Sequence, residues 1–448
     1  MVSLIKTIKI RKVTSWLLFL VLVAFTFSFT LFALKSKTNA IAYVQSQVSG
    51  TLKVEKDSWA PMVVALDYLK KNPGKLVYRE IFFNQGIKFQ YPLSSLLVFD
   101  IPQKATGGSY GEIIGYLNSL SLISVFLIGI TCAAILSAIL KKERFKHLLT
   151  RSGLETFQIY FLSLLITLLF YPLLRSYVLG QIQTMLTLLV SLALLAWLYD
   201  KKNLTGVLFG VVCVIKPQMA LIFIWALLRK QWGMVISGLV VVVLFSVVAI
   251  TFYGFENNLG YLEVLSFLSR RGEVFYANQS VNGLVNRLMF NGSNLDWDGK
   301  FPRYLPIVYI LTMVSSLVLM FGALFWNFKD KHPHIIDLSI MLLATTMASP
   351  IAWEHHFGIL LPVFFIMLPF LLAYFTDRKW YPILFLIAFV LCSQYFGFVK
   401  VFANNYLNFV QSYLFFGAVI ILYLLVRLSM RIHKRNLQYT SSSIVRPA

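Results

Sequence analysis

The chain has 448 residues, of which 58% are apolar and 16% aromatic, while only 13% are charged. Soluble domains carry about 25% charged residues, so too few polar side chains remain to cover a globule in water, which excludes a cytosolic enzyme, a disordered chain and a secreted module. The formal charge of +22 belongs mostly to loops and tails flanking apolar runs, where anionic lipid headgroups account for it and no nucleic-acid partner is implied.

In chain order, runs long enough to cross a hydrocarbon core of about 30 Å occur near 15–34, 113–140, 155–174, 177–199, 234–253, 305–326, 357–375, 382–398 and 406–427. The first follows Lys6, Lys9, Arg11 and Lys12, which predicts a cytoplasmic N-terminus. A cleaved signal peptide is the alternative, against which stand the length of the run and its lack of a small-residue cleavage site. Cys132, Cys213 and Cys392 all lie within apolar stretches, with no metal-ligand or disulfide spacing.

Three further runs are short. Leu204–Ile215 spans only about 18 Å as a helix before Lys216-Pro217 interrupts it, and Met219–Leu228 follows. Ile335–Ala348 reaches about 21 Å before Ser349-Pro350. Breaks at membrane depth are tolerated where protein or a watery cavity surrounds them, so a cavity open to one side is expected. Together these segments predict an all-α, polytopic integral membrane protein of about twelve transmembrane or half-spanning helices, one domain over 1–448, with both termini cytoplasmic. Lys141 to Lys146, Lys201-Lys202, Arg229-Lys230, Lys329-Lys331, Arg378-Lys379 and the tail with Arg427, Arg431, Lys434 and Arg435 then share the inner side. Loops 35–112 and 254–304 emerge on the outer side and are expected to carry short helices. The first contains ten Lys or Arg but is too long to vote on orientation.

That topology gathers unusual polar groups on the outer face. Asp57 precedes an amphipathic stretch from Ser58 to Leu69, where it serves equally as a helix N-cap. Arg175 precedes Gly180-Gln181-Ile182-Gln183, whose amides also suit hydrogen bonding between helices. Lys216 marks a hairpin tip, from which it can snorkel to the interface. Asn278-Gln279-Ser280 reads by itself as ordinary loop. Trp353, Glu354, His355 and His356 follow the Pro350 break. Adjacent helical residues diverge by about 100°, so the two histidines do not suit one metal and no metal site is expected.

As an ordered set, these motifs resemble membrane glycosyltransferases of family 87, within the C-superfamily that uses lipid-phosphate sugar donors. Asp57 resembles the family's first-loop acidic residue, and Phe89-Gln90-Tyr91-Pro92 its F-x-Y-P-P signature. Gly180-Gln181-Ile182-Gln183, Gly206 through Gly210 and Lys216-Pro217 follow in order. Asn278 to Gly283 and Ser349 to His356 resemble N-Q-S-L-x-G and S-P-x-S-W-x-H-H. Leu93, Gln183 and Ala352 depart from the pattern without removing an ionisable group.

The resemblance implies a hexosyltransferase moving a sugar, with mannose the leading choice, from a polyprenyl-phosphate carrier to a glycan or glycolipid hydroxyl. The reaction would take place on the extracytoplasmic face of the cell (inner) membrane. A sugar hydroxyl needs a base as its new bond forms, and Asp57 is the expected one. A lipid phosphate leaves as a stabilised anion, so a second carboxyl acid is unnecessary and one displacement predicts inversion. His355, His356, Lys216 and Arg175 are expected to offer donors to the phosphate. Tyr91, Gln181, Asn278, Gln279, Trp353 and Glu354 complete the expected substrate site, with no cofactor. A polymerase or ligase of lipid-linked glycans and a lipid-linked glycan transporter are the alternatives, the latter favoured by internal repeats that the sequence lacks.

Overall fold

The computed structural model describes residues 12–143, 145–149, 154–297, 300–375, 378 and 380–444, with 436–444 as backbone alone. Lys6, Lys9, Arg11, Arg144 and Lys379 lie outside them. The described residues are helical and contain no strand; Asn278 and Trp353 form an isolated antiparallel bridge.

Among the described residues, six helices are long and apolar enough to cross a membrane: Val13–Ala33, Tyr110–Lys142, Trp232–Tyr253, Pro306–Phe325, Glu354–Tyr374 and Tyr406–Arg435. A seventh span forms if Glu155–Leu168 and Tyr171–Val178 are taken together across a 59° bend. Pro172, in the first turn after that bend, supplies no backbone N–H, so the helix restarts there in a new direction. Five shorter apolar helices, Gln183–Leu198, Lys202–Ile215, Pro217–Leu228, Ile335–Met347 and Trp380–Ser393, complete the bundle. Six or seven helices thus reach full spanning length where nine long runs were expected, because the runs at 177–199 and 382–398 give only the shorter helices Gln183–Leu198 and Trp380–Ser393.

Burial separates centre from rim. The apolar stretch of Glu354–Tyr374 is 89% buried, against 17% in Trp232–Tyr253 and 22% in Pro306–Phe325. The latter two turn Val240, Val243, Val247, Val314 and Val318 outward, which suits a lipid-facing surface. Around Leu360–Tyr374 pack Tyr110–Lys142, Ile335–Met347, Trp380–Ser393 and Tyr413–Ile444. Lys202–Ile215 lies against Trp232–Tyr253, where Gly206 and Gly210 allow close approach: a Cβ on Gly206 would strike the Met234 carbonyl and Ser237.

The loops sort to two ends. At one, Lys12 Nζ donates to His147 O (3.0 Å), Lys142 Nζ to Leu198 O (3.2 Å) and Gln231 Nε2 to Lys331 O (2.8 Å), while His334 lies 3.5 Å from Glu143. The described basic loops therefore share an end, as the sequence predicted. At the other end sit the two long loops, with helices Ala40–Val48, Trp59–Lys71 and Leu97–Thr106 in the first and Phe255–Leu259, Tyr261–Arg271 and Val281–Leu288 in the second. Asn257 joins them by accepting from Val77 N at 2.8 Å.

Candidate active site

Asp57 lies in an extended segment that pairs with the end of Tyr171–Val178. Glu55 N donates to Val178 O (2.8 Å) and Asp57 N to Leu179 O (2.9 Å). Gly180 closes this pairing at φ +64°, and a Cβ there would strike the Glu55 carbonyl, so both conformation and space demand glycine. Gln181 is then delivered beside Asp57. Its Nε2 donates to Asp57 Oδ2, while its Oε1 accepts from Ser58 Oγ (2.6 Å) and Tyr91 OH (3.2 Å). Asp57 is not a helix cap: helix Trp59–Lys71 starts after Ser58, with no side-chain cap. Its carboxylate is instead held by Gln181, on an exposed residue. Surrounding protein that displaces part of its water raises its carboxyl above the ordinary aspartate range. The Gln181 hydrogen bond and Arg175 oppose the rise, and Glu55 adds to it.

The Phe89-Gln90-Tyr91-Pro92 motif is fixed from both outer loops. Tyr78 OH donates to Tyr91 O (2.6 Å), Tyr261 OH to Gln90 O (3.3 Å), and Phe89 stacks on Tyr78. Burial raises the Tyr91 phenol, which keeps it a neutral donor to Gln181. Leu93 and Ala352, two departures from the family pattern, are fully buried packing residues. Gln183, the third, bonds to Thr187 one turn along its own helix, at 3.4 Å.

Arg175, on the short helix after the 59° bend, donates to Tyr43 OH at 3.2 Å. It forms no ion pair among the described residues, yet Asp57, Glu354 and His355 all lie within its electrostatic reach. Glu354 is buried and accepts from Tyr171 OH (3.2 Å) and Tyr413 OH (3.4 Å). Tyr171, one turn before Arg175, stacks near Tyr43 and Tyr395. Lys400 caps the group over the Tyr276 ring at 4.3 Å.

His355 is buried and His356 half-buried, and their rings meet edge to face at 4.7 Å. The rings are in contact although the two residues are adjacent on the tight helix Glu354–Ile359, and their burial differs. Both stand within the field of Lys216, which is buried rather than extended to the interface. Among the described residues, no protein hydrogen bond occupies either imidazole or the Lys216 ammonium. Three nitrogen-bearing side chains are thus left open to an anion.

Asn278 and Gln279 have a different task. Both are fully buried. Asn278 Nδ2 donates to Glu273 O (2.8 Å) and Pro350 O (3.1 Å), and its Oδ1 accepts from Ala352 N (2.9 Å). Ser280 Oγ donates to Pro350 O (2.9 Å). Gln279 ties Tyr276 O and Gln411 O, each at 2.8 Å, and accepts from Phe415 N. This segment is a clamp on the turn leading to Glu354 rather than an ordinary loop, and it holds Pro350 in place. Trp353, half-buried, packs on Trp297 at 5.1 Å.

Sequence reasoning missed Arg287, which is buried and donates to Phe275 O (3.2 Å), Asn278 O (3.1 Å) and Ser412 Oγ (2.7 Å). It also missed the tyrosines around Glu354. Tyr171 was accessible, since it lies four residues before Arg175 on one helix. A cleft of about 690 Å³ elsewhere in the outer loops, lined by Phe83, Glu263, Phe267, Arg270 and Tyr304, holds none of the expected site residues.

The family model of glycosyltransferase family 87 matches residues 89–350, more than half of the chain. That stretch contains Tyr91, Arg175, Gln181, Lys216, Asn278 and Gln279, while Asp57 and Trp353 to His356 flank it. No curated protein and no solved structure matches the chain.

Proposed function

The chain belongs to glycosyltransferase family 87, and from that premise we propose that Asp57 is the base of a sugar transfer from a polyprenyl-phosphate carrier. The transferred sugar in this reading is a hexose, with mannose the leading choice. It passes to a glycan or glycolipid hydroxyl on the extracytoplasmic side of the cell membrane, with inversion. One observation carries the reading: the short helix Tyr171–Val178, which bears Arg175, touches both parts of the site, with Tyr171 OH donating to Glu354 at 3.2 Å and Val178 O accepting from Glu55 N, two residues before Asp57, at 2.8 Å.

In the mechanism, the Asp57 carboxylate takes the proton of the acceptor hydroxyl as its oxygen attacks the anomeric carbon. The bond from that carbon to the phosphate oxygen breaks, and its electron pair leaves with the phosphate. Lys216, His355 and His356 stabilise the charge growing on the leaving group, which favours the transition state over the bound donor. Gln181 and Tyr91 orient the carboxylate, and Trp353 offers an aromatic face to a sugar ring or the polyprenyl stem. Glu354, tied to two tyrosines, takes sugar hydroxyls.

Purified protein given radiolabelled polyprenyl-phosphate sugar and membrane extract should release polyprenyl phosphate and label a glycan or glycolipid. The Asp57→Asn variant should not. Label that crosses to the other leaflet while still joined to its carrier would identify a transporter instead.

A further inference from the structure

At the end of the bundle opposite the candidate active site, a histidine and two carboxylates converge from separate segments. The two sites are separated by the length of helix Ile335–Met347, about 20 Å at the rise of an α-helix. His433, on the last helix, points its Nε2 to Asp337 Oδ2 at 3.5 Å and to Asp330 Oδ2 at 3.7 Å. The three ligand atoms all lie within 4.8 Å of one another. We propose that this cluster is a structural site for a first-row divalent cation, with zinc its best-suited occupant.

The geometry of each ligand supports this. Asp337 is buried, and its Oδ1 accepts from Ser429 Oγ (2.6 Å) and Asn327 Nδ2 (3.4 Å), which turns Oδ2 toward His433. That oxygen also accepts from His334 N at 3.2 Å and has room for a further partner. Asp330 repeats the arrangement, with Oδ1 accepting from His332 N at 2.8 Å and Oδ2 facing the histidine. One oxygen of each carboxylate is tied back by the protein and the other is presented, as outer hydrogen bonds do for metal ligands.

The histidine is the independent observation. Its Nε2 is shielded from water and has no hydrogen-bond partner, although two carboxylate oxygens lie just beyond hydrogen-bonding distance. Tetrahedral zinc with bonds of about 2.0–2.1 Å needs ligand atoms about 3.3 Å apart, so the two histidine–carboxylate separations of 3.5 and 3.7 Å need to close by only a few tenths of an ångström, and rotation of the half-exposed Asp330 brings its oxygen in from within 4.8 Å of the others. A neutral imidazole and two carboxylates neutralise a divalent cation, and the half-exposed Asp330 leaves room for water as fourth ligand. Asp330 lies between Pro306–Phe325 and Ile335–Met347, whereas His433 belongs to the final helix. The ion would therefore pin that helix to the loop beside it.

Tag-free protein, stripped with chelator in detergent, is loaded with excess zinc, and the metal retained after gel filtration is measured by mass spectrometry. About one equivalent per chain is expected, together with a rise in the thermal midpoint on adding zinc. His433→Ala and Asp330→Asn should each retain less than about a tenth of an equivalent and lose the zinc-dependent rise. In Asp330→Asn the amide oxygen still accepts from His332 N, so this variant decides the matter even if His433→Ala fails to fold. Wild-type protein without retained zinc would reduce the cluster to an ion pair between protonated His433 and the carboxylates. Full retention in Asp330→Asn would equally overturn the site. Neither result bears on sugar transfer, which is assayed separately.

Discussion

Asp57 shows how far a single residue could be read before the fold was known. An acidic side chain before an amphipathic stretch has two chemical uses, and the pairing of residues 55–58 with 178–180 removes the cap, because Asp57 bonds Gln181 rather than a helix N–H. Asparagine at 57 keeps an oxygen for Gln181 Nε2 but cannot take a proton. Asp57→Asn should therefore lower turnover about 10²–10⁴-fold with an unchanged thermal midpoint. Because burial raises this carboxyl, protonation removes the base at a higher pH than for an ordinary aspartate near 3.9, so activity is kept above that raised pKa and lost as pH falls through it. The acid limb of a kcat/KM profile measures this, and a limb at or below the ordinary aspartate value would contradict the raised carboxyl. His355 and His356 were legible as a pair, but their mutual contact was not, because spacing along a helix fixes Cβ directions and not ring positions. Alanine at either position, assayed with saturating donor, should lower kcat more than it raises KM, since charge on the phosphate grows only as the sugar leaves. Full kcat in both variants would remove the pair from the reaction.

Elements were more legible than their contacts. Breaks at Lys216-Pro217 and Ser349-Pro350 follow from the missing proline N–H and from the steric limits on the residue before proline, and the helices end there. What covers those breaks comes from distant chain and leaves no local pattern, which is why Asn278 looked like loop and Arg287 carried no signal. The turn before Glu354 depends on that distant chain. Asn278→Ala would leave the Ala352 N–H and the Glu273 and Pro350 carbonyls with one partner fewer, in a setting without water to replace it. A loss of about 3 kcal/mol is expected, accompanied by reduced kcat as Glu354 and the histidines drift. Thermal unfolding in detergent and a donor-saturated assay measure the two effects. A variant with normal stability and only a raised KM for donor would instead make Asn278 a substrate contact.

At the scale of the whole molecule, sidedness is the premise that every step of the proposed chemistry shares. The described basic loops lie at one end, and Asp57 with the nitrogens proposed to bind the phosphate lies at the other, so a single orientation decides both. The proposed reaction takes the orientation that the positive-inside bias favours, with the basic end in the cytoplasm and Asp57 outside. The +22 charge, unhelpful for naming a partner, becomes informative once the helices separate it in space. Cysteine labelling tests the orientation with little background, because Cys132, Cys213 and Cys392 are all buried. Ser49→Cys lies on exposed chain of the first long loop, and Lys201→Cys on an exposed turn at the basic end. In intact cells, a membrane-impermeant maleimide should label Ser49→Cys and should reach Lys201→Cys only after permeabilisation. The reverse pattern would put Asp57 in the cytoplasm. The carrier, the acceptor hydroxyl and the base would then no longer share a side, and the transfer would need either a cytoplasmic donor or a different base.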